Sequence, residues 1–220
     1  MAETEIWVCA SFMDTTLIKG FASPFDELPR DRRIEIRKEI GNGYPVREEL
    51  FPSVMWASSD AGKTHKNLPD LFIANGFWCV SAAMADVLQR IDLGKTRLYP
   101  VEMFNRGKRN RIPGEFFCAA WAERKDTFLP ERTPRAKLQK YQTNLWDPHY
   151  VMEDGDLHLS ERALEGPDLW FEERVTETFF LSDRLQQALR DAKLTRRLRL
   201  ARCVVSSATL MNKISDRELS

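Results

Sequence analysis

A cluster of carboxylates around Gly155 is the first place in this sequence where the residue types could do chemistry. Glu153, Asp154 and Asp156 supply oxygen atoms of the kind that bind Ca²⁺. A calcium loop of the EF-hand type also needs further oxygen ligands and a terminal glutamate at fixed offsets, and the segment VMEDGDLHLS does not provide them. The cluster therefore predicts a tight turn rather than a metal site.

The run AGKT, which ends at Thr64, resembles the end of a phosphate-binding loop. That loop has the form GxxxxGK[ST], and the residue five before Gly62 is Ala57, so the first glycine is missing. Leu68 and Pro69 follow almost at once and leave no room for the helix whose N-terminus would hold the phosphate. We interpret this run as a polar loop.

The three histidines, His65, His149 and His158, lie in no motif that would orient them for catalysis. His65 and His149 occupy polar loop contexts that are typical of solvated side chains. The sequence contains no GxSxG, HExxH or GxGxxG pattern. We therefore expect a protein that is not an enzyme, with no catalytic residue and no cofactor. The alternative is an enzyme that uses carboxylates and His158 in a cleft.

The four cysteines are far apart in sequence, and each lies in an apolar or strand-like context. They are Cys9, Cys79, Cys118 and Cys203. A zinc site needs ligands at short spacing, and the sequence has no CxxC or HxxxH. Buried free thiols are the better interpretation, and we expect no bound metal.

Charge and hydropathy exclude some classes of partner. Lys plus Arg and Asp plus Glu each total 33, so the formal net charge is zero and favours neither nucleic acid nor an anionic membrane. No run of about 18 apolar residues is present, as a spanning helix would need, and the start of the chain does not resemble a signal peptide. We expect a cytoplasmic protein.

A local group of cations interrupts this neutral chain between two strand-like segments. It consists of Arg106, Lys108, Arg109 and Arg111. The aromatic and β-branched residues on either side predict that these cations lie at the tip of a β-hairpin. Such a tip is usually only solvated, but it could contact phosphates or an acidic protein partner. Together with the basic residues from Arg196 to Arg202, it forms an alternative nucleic-acid face.

The clearest structural pattern that could position these side chains lies between residues 70 and 104. Ser81 is placed to cap a helix from Ala82, in which the apolar residues have the spacing of one helical face and Gly94 marks the end; these residues are Met84, Val87, Leu88 and Ile91. The segments 71–80 before this helix and 98–104 after it are typical of strands.

The segment 157–208 repeats this arrangement. Ser182 is placed to cap a helix with Leu185, Ala188, Leu189 and Ala192 at the same offsets, and a strand is predicted over 198–205. The chain is therefore expected to have an α+β fold, with a mixed or antiparallel sheet, two similar strand–helix–strand units and peripheral helices. A duplication and two generic capped helices are both compatible with the pattern.

The rest of the chain is assigned more broadly. A strand is predicted over 5–12, and 23–40 is either a short helix or an exposed connection. Residues 123–158 contain several prolines and are expected to form a long surface excursion. We predict one compact domain in which 1–67 packs on a main domain at 68–208, followed by a polar tail at 209–220.

Two tryptophans, Trp146 and Trp170, lie in turn-rich segments next to acidic residues. An aromatic side chain on a polar rim is typical of a protein–protein interface. We therefore predict a partner-binding surface in the segment 153–173, with Trp170 as apolar anchor and Glu172 and Glu173 as rim charges beside the carboxylates around Gly155. The alternative is that Trp170 covers the core beneath the turn at Gly166 and Pro167.

The order of several short motifs resembles a known family. LPDLFIANGFWCVS is followed by a helix that ends at DLG, then by LYPVE, a glycine-containing hairpin, GPDLWFEE and FFLSDRLQQAL. This order, over roughly 68–205, is similar to that of the family-eleven immunity proteins of bacterial polymorphic-toxin systems. The resemblance implies a cytoplasmic α+β protein that binds and neutralises a cognate toxin, and it supplies no catalytic motif. An enzyme that reverses a toxin's modification is the alternative within the same biology.

Overall fold

The computed structural model describes residues 5–11, 14–41, 47–58, 65–176 and 178–206. It has the expected α+β fold, with three α-helices and short strands in mixed sheets over these residues. The polar loop predicted around Gly62 and the tail predicted at 209–220 lie outside the described residues. The helices are α1 (Arg30–Gly41), α2 (Ala82–Leu88) and α3 (Asp183–Asp191). The strands are β1 (Ile6–Cys9), β2 (Ile18–Lys19), β3 (Phe21–Ala22), β4 (Val54–Ala57), β5 (Leu71–Ala74), β6 (Phe77–Ser81), β7 (Arg97–Phe104), β8 (Phe116–Ala120), β9 (Arg124–Lys125), β10 (Lys137–Leu138), β11 (Trp146–Asp147), β12 (His158–Ser160), β13 (Leu169–Glu172), β14 (Phe179–Ser182), β15 (Leu200–Arg202) and β16 (Val204–Ser206).

The chain divides into two compact units that interleave along the sequence. Of the described residues, unit 1 contains 5–11, 124–176, 178–186 and 198–206, and unit 2 contains 14–41, 47–58, 65–123 and 187–197. The boundary expected at residue 67 falls inside unit 2. Strand β1 joins unit 1 because it pairs with strands that lie 170 or more residues later.

Unit 2 is built on a seven-stranded sheet in the order β2-β5-β6-β8-β7-β4-β3. Its core includes Phe72, Cys79, Met103 and Cys118. The helix option for 23–40 is confirmed, since α1 packs Ile36 and Ile40 against this core. A capping box between Ser23 and Asp26 precedes it.

The prediction of one strand over 71–80 is wrong, because β5 and β6 form an antiparallel hairpin. The turn between them is Asn75-Gly76, with φ of 49° and 80°. Two consecutive left-handed residues of this kind match the right-handed twist of the flanking strands. The Asn-Gly dipeptide was the sequence signal for this turn.

The cap of α2 is confirmed, and its C-terminus is corrected. The Oγ of Ser81 accepts a hydrogen bond from the Met84 N–H at 3.3 Å. The helix ends at Leu88 rather than near Gly94, because the N–H groups of Arg90 and Ile91 bond to carbonyls three residues back instead of four. Gly94, with φ of 55°, lies in a separate turn.

Unit 1 contains a five-stranded sheet in the order β15-β1-β14-β13-β9. The strand predicted at 5–12 is β1. The single strand predicted at 198–205 is divided into β15, which pairs antiparallel with β1, and β16, which pairs parallel with β12. The long excursion expected at 123–158 consists of short elements, among them the two-residue pair β10 and β11. Trp146 on β11 packs its ring against Phe128, with centroids 6.1 Å apart.

The two units share an internal strand arrangement. The order β2-β5-β6-β8-β7 in unit 2 has the same relative strand directions as β9-β13-β14-β1-β15 in unit 1. In both, the strand that leads into the capped helix ends at a serine that donates to an aspartate: Ser81 donates to Asp70 at 2.7 Å, and Ser182 donates to Asp168 at 2.5 Å. The two sheets therefore share these pairing and capping features, and the duplication that the sequence indicates stays a prediction.

Candidate functional site

The structure buries two of the residues expected to contact a partner. Trp170 is 0% exposed and Glu172 is 2% exposed, and both belong to the interior of unit 1. The Trp170 ring stacks on Phe180, and Lys125 places its Nζ 3.6 Å from the centre of the Trp170 ring. This placement corrects the expected roles of an exposed anchor and a rim charge, and it agrees with the alternative in which Trp170 covers the core.

The Glu172 carboxylate accepts four hydrogen bonds from within unit 1. Its Oε2 accepts from the N–H groups of Thr127 and Phe128 at 2.8 and 3.1 Å, and its Oε1 accepts from the Trp170 indole at 2.9 Å and from the Thr127 hydroxyl. Burial raises the pKa of Glu172, while these hydrogen bonds oppose that shift. The carboxylate therefore links β13 to the segment at Thr127 and Phe128, and it is not available to a partner.

The carboxylates around Gly155 form the predicted turn, in which the Asp156 N–H donates to the Glu153 carbonyl at 3.1 Å. Arg135 donates to both carboxylate oxygens of Asp156, at 2.8 and 2.7 Å. Asp154 accepts from the Arg202 N–H at 2.7 Å. These contacts tie the turn to the loop at Arg135 and to β15, and Arg135 compensates the charge of Asp156.

Three of the predicted partner-binding residues are accessible to solvent. Glu153, Asp154 and Glu173 are exposed. Glu153 forms a peripheral ion pair with Arg135 at 3.3 Å, a geometry that contributes little in water. Of the six predicted site residues, the structure brings Glu153, Asp154 and Asp156 together in one turn and places Trp170 and Glu172 in the core.

The histidines occupy structural positions rather than the fully solvated ones expected. The ring of His65 stacks on Phe21, with centroids 5.2 Å apart, and burial lowers the pKa of His65. His149 lies with Nδ1 2.5 Å from an Arg135 nitrogen. Burial also lowers the pKa of His158. Groups of three or more His, Cys, Asp or Glu that could hold a metal ion do not occur among the described residues.

A more open surface lies in unit 2, on the side of strands β4, β7 and β8 that faces away from the core. Alternation along β4 and β7 sends Met55 and Met103 inward, where they are 0% and 1% exposed. On the opposite side, Val54, Pro100, Phe104 and Phe117 line a groove of about 810 Å³. We call this surface the outer face and define it by Val54, Trp56, Pro100, Phe104 and Phe117.

Strand register places the outer-face residues side by side. Trp56 pairs with Phe104 across β4 and β7, and Pro100 pairs with Phe117 across β7 and β8. Pro100 is exposed, and the other four residues are half-buried. The outer face is therefore a partly accessible apolar surface, interrupted on β7 by the exposed Glu102 between Pro100 and Phe104, and apolar surfaces of this kind mark interaction sites.

The four cations expected at a hairpin tip lie beside the outer face, and we call Arg106, Lys108, Arg109 and Arg111 the basic loop. The hairpin is confirmed by the antiparallel pairing of β7 and β8. All four side chains are exposed. Lys108 lines both the main groove and a second one of about 560 Å³, which also borders Trp56.

The position of Lys108 is held by an uncommon backbone conformation. Gly107 and Lys108 have φ of 74° and 58°. A left-handed conformation costs roughly 1–2 kcal/mol for a residue with a Cβ atom. It places the Lys108 Nζ 3.6 Å from the centre of the Trp56 ring, where the ammonium is attracted to the π-face.

The outer face was missed by the sequence analysis, although the basic loop was identified. The missed signal was the alternation in VMWA and in PVEMF, where an inward methionine is flanked by side chains of the opposite face. Assembling these segments required the parallel pairing of β4 with β7, which joins residues about 50 positions apart.

The second basic segment, 196–202, is divided between the units. Arg196 and Arg197 belong to unit 2, and Arg199 and Arg202 belong to unit 1. Arg202 forms ion pairs with Glu5 at 2.9 Å and with Asp154 at 3.8 Å. Its charge is therefore largely compensated, which weakens the nucleic-acid alternative.

Comparison of the sequence with known proteins identifies a family. No described helix combines the length and apolar composition that a membrane span requires. No curated protein matches the chain. The model of the Immunity protein family (Imm11) matches residues 22–197, which extends the resemblance seen in the sequence towards the N-terminus. The chain therefore belongs to the Imm11 immunity protein family, and this membership assigns it a role in immunity to a toxin.

Proposed function

We propose that the protein is a cytoplasmic, non-enzymatic immunity protein that binds a cognate toxin domain and neutralises it by occluding the toxin's working surface. The family match over 22–197 is the observation that carries this proposal. Binding by occlusion requires an accessible surface on a stable scaffold, and the outer face and basic loop of unit 2 have that character.

The test is co-expression with the toxin domain encoded beside this protein's gene. The immunity protein should restore growth to cells that produce the toxin. Isothermal titration calorimetry with an inactive toxin variant should show a one-to-one complex. Full restoration of growth without any detectable complex would contradict neutralisation by binding.

Stoichiometry separates occlusion from the enzymatic alternative. An occluding protein protects in proportion to its amount, so toxin activity in vitro should fall linearly and reach its minimum at one equivalent. An enzyme that reverses the toxin's modification turns over and would protect well below one equivalent. Complete protection at a small fraction of an equivalent would overturn the proposed mechanism.

A further inference from the structure

We infer that the outer face and the basic loop together form the surface that contacts the toxin, and that the toxin presents an acidic segment with apolar side chains to it. This inference rests on the proposed function and deepens it. Its first support is the apolar surface itself: Trp56 and Phe104 are cross-strand neighbours, and Pro100 and Phe117 continue the surface onto β8.

Charge identifies the chemistry of the occupant. The basic loop carries four exposed cations, whereas the acidic residues that line the groove are Glu102 and Glu115. Glu102 is paired with Arg111 at 3.4 Å. Within the described part of the chain, Arg106, Lys108 and Arg109 form no ion pair. An occupant that brings carboxylates would supply the missing partners.

The Lys108 side chain is prepared for such an occupant. Its left-handed backbone directs the ammonium over Trp56, at the border of the two grooves. A strained loop conformation that fixes a functional group in advance is typical of binding sites, because it reduces the ordering needed when the partner arrives. A cation on an aromatic face can then contact a carboxylate while the ring contacts an apolar side chain.

A protein partner fits these features better than a nucleic acid. The cations occupy one loop at one end of a sheet face lined by Val54, Pro100 and Phe117, and an occupant of the groove must cover these apolar side chains as well as meet the charges. A nucleic-acid site instead aligns cations along the path of a backbone. The occupant is therefore an acidic, partly apolar protein segment.

The experiment reverses the charge of the loop. The variant Arg106→Glu/Lys108→Glu/Arg109→Glu is compared with wild type for binding to the inactive toxin domain encoded beside the gene. We expect the dissociation constant to rise at least about 10-fold, mainly through slower association, and to become less sensitive to salt. Far-ultraviolet circular dichroism and the urea midpoint establish that the variant is folded.

A matched control carries the same change in net charge elsewhere. Lys137→Glu/Arg162→Glu/Arg196→Glu replaces three exposed cations of other elements. This control should bind within about twofold of wild type if the position of the cations matters rather than the total charge. Equal weakening by both triple variants would overturn the inference.

A gain of affinity provides a test that misfolding cannot imitate. Glu115 is exposed and lines the groove. Glu115→Lys removes a charge that repels an acidic occupant, so binding should tighten by roughly threefold at low salt. Weaker binding by Glu115→Lys would contradict an acidic occupant.

The outcomes separate this inference from the proposed function. If the wild type does not bind the toxin, the proposed function fails and the inference fails with it. If the wild type binds and the loop variant binds equally well, only the inference fails. Competition between a short DNA duplex and the toxin for the wild type, lost in the loop variant, would indicate a nucleic-acid site and overturn the inference as well.

Discussion

Glu172 shows how a single buried carboxylate links distant parts of unit 1. Its four donors come from Thr127, Phe128 and Trp170, and two of these residues lie about 45 positions earlier in the sequence. An ionised oxygen that accepts several N–H bonds offsets part of the cost of burial. Lys125 lies nearby and donates to the carbonyls of Ala163 and Pro167, so it links β9 to the segment that precedes β13.

The raised pKa of Glu172 predicts a specific pH dependence of stability. Because the folded protein holds this proton more tightly than the unfolded chain, the contribution of Glu172 is largest below the ordinary value of 4.5 and is lost as pH rises through the folded pKa. Glu172→Gln does not titrate. The difference in free energy of unfolding between wild type and Glu172→Gln should therefore decrease with rising pH, as measured by urea denaturation. A difference that stays constant, or grows with pH, would contradict this.

Trp170 belongs to the same interior, so its replacement should act on stability. Trp170→Ala removes a fully buried indole and should lower the free energy of unfolding by about 3–5 kcal/mol. Trp170→Phe keeps most of the ring volume, so it should lower the free energy of unfolding by less. That smaller decrease should reflect loss of the hydrogen bond from the indole N–H to Glu172. The measurement is urea denaturation, together with toxin binding at a temperature where the variants are folded. A folded Trp170→Phe that loses toxin affinity would restore the interface role.

At the scale of elements, the two hairpin–helix arrangements use the same cap. In each, a serine at the end of a strand accepts from a helix N–H three residues on and donates to the aspartate that comes just before the preceding strand. The environments differ, since Ser182 and Asp168 are 3% and 1% exposed, whereas Asp70 is exposed. Arg184 also donates to Asp168, at 2.6 Å.

This difference in burial predicts unequal effects of removing the caps. Ser81→Ala should lower the free energy of unfolding by about 1 kcal/mol, as is usual for an N-cap. Ser182→Ala should cost about 2 kcal/mol, because it also removes a hydrogen bond from a buried carboxylate. Thermal and urea unfolding of the two variants provide the comparison. Equal costs would show that the cap alone determines the effect.

At the scale of the whole molecule, the four cysteines can be used to measure the unfolding of both units, because each unit contains two of them. All are buried and free, as expected from the sequence, with Cys9 and Cys203 in unit 1 and Cys79 and Cys118 in unit 2. Burial raises the pKa of Cys9 to about 12 and also raises those of Cys79 and Cys203. Few thiolates are therefore present near neutral pH, and reagents cannot reach them readily.

We expect the folded protein to react slowly with a thiol reagent such as Ellman's reagent, and all four thiols to react once it unfolds. The number of reactive thiols should follow the loss of circular dichroism across a urea titration. Rapid labelling in native buffer, identified by mass spectrometry, would contradict the burial of the labelled cysteine. A single-cysteine set of variants assigns each reactive thiol to its unit.

The sequence by itself determined the features that depend on neighbouring residues: the capped helix starts at Ser81 and Ser182, the strand after each helix and the basic hairpin tip. These follow from helical spacing and capping chemistry, which act over a few positions. It also contained the Asn75-Gly76 turn, although the composition of 71–80 favoured a continuous strand.

Only the tertiary structure decided which of these features are accessible. It buried Trp170 and Glu172, because their partners Lys125, Thr127 and Phe128 come from a strand and loop far away in sequence. It also placed Val54 and Trp56 beside β7, where they form the outer face. Exposure is set by long-range strand pairing, and the pattern of one segment contains no information about which distant segment covers it.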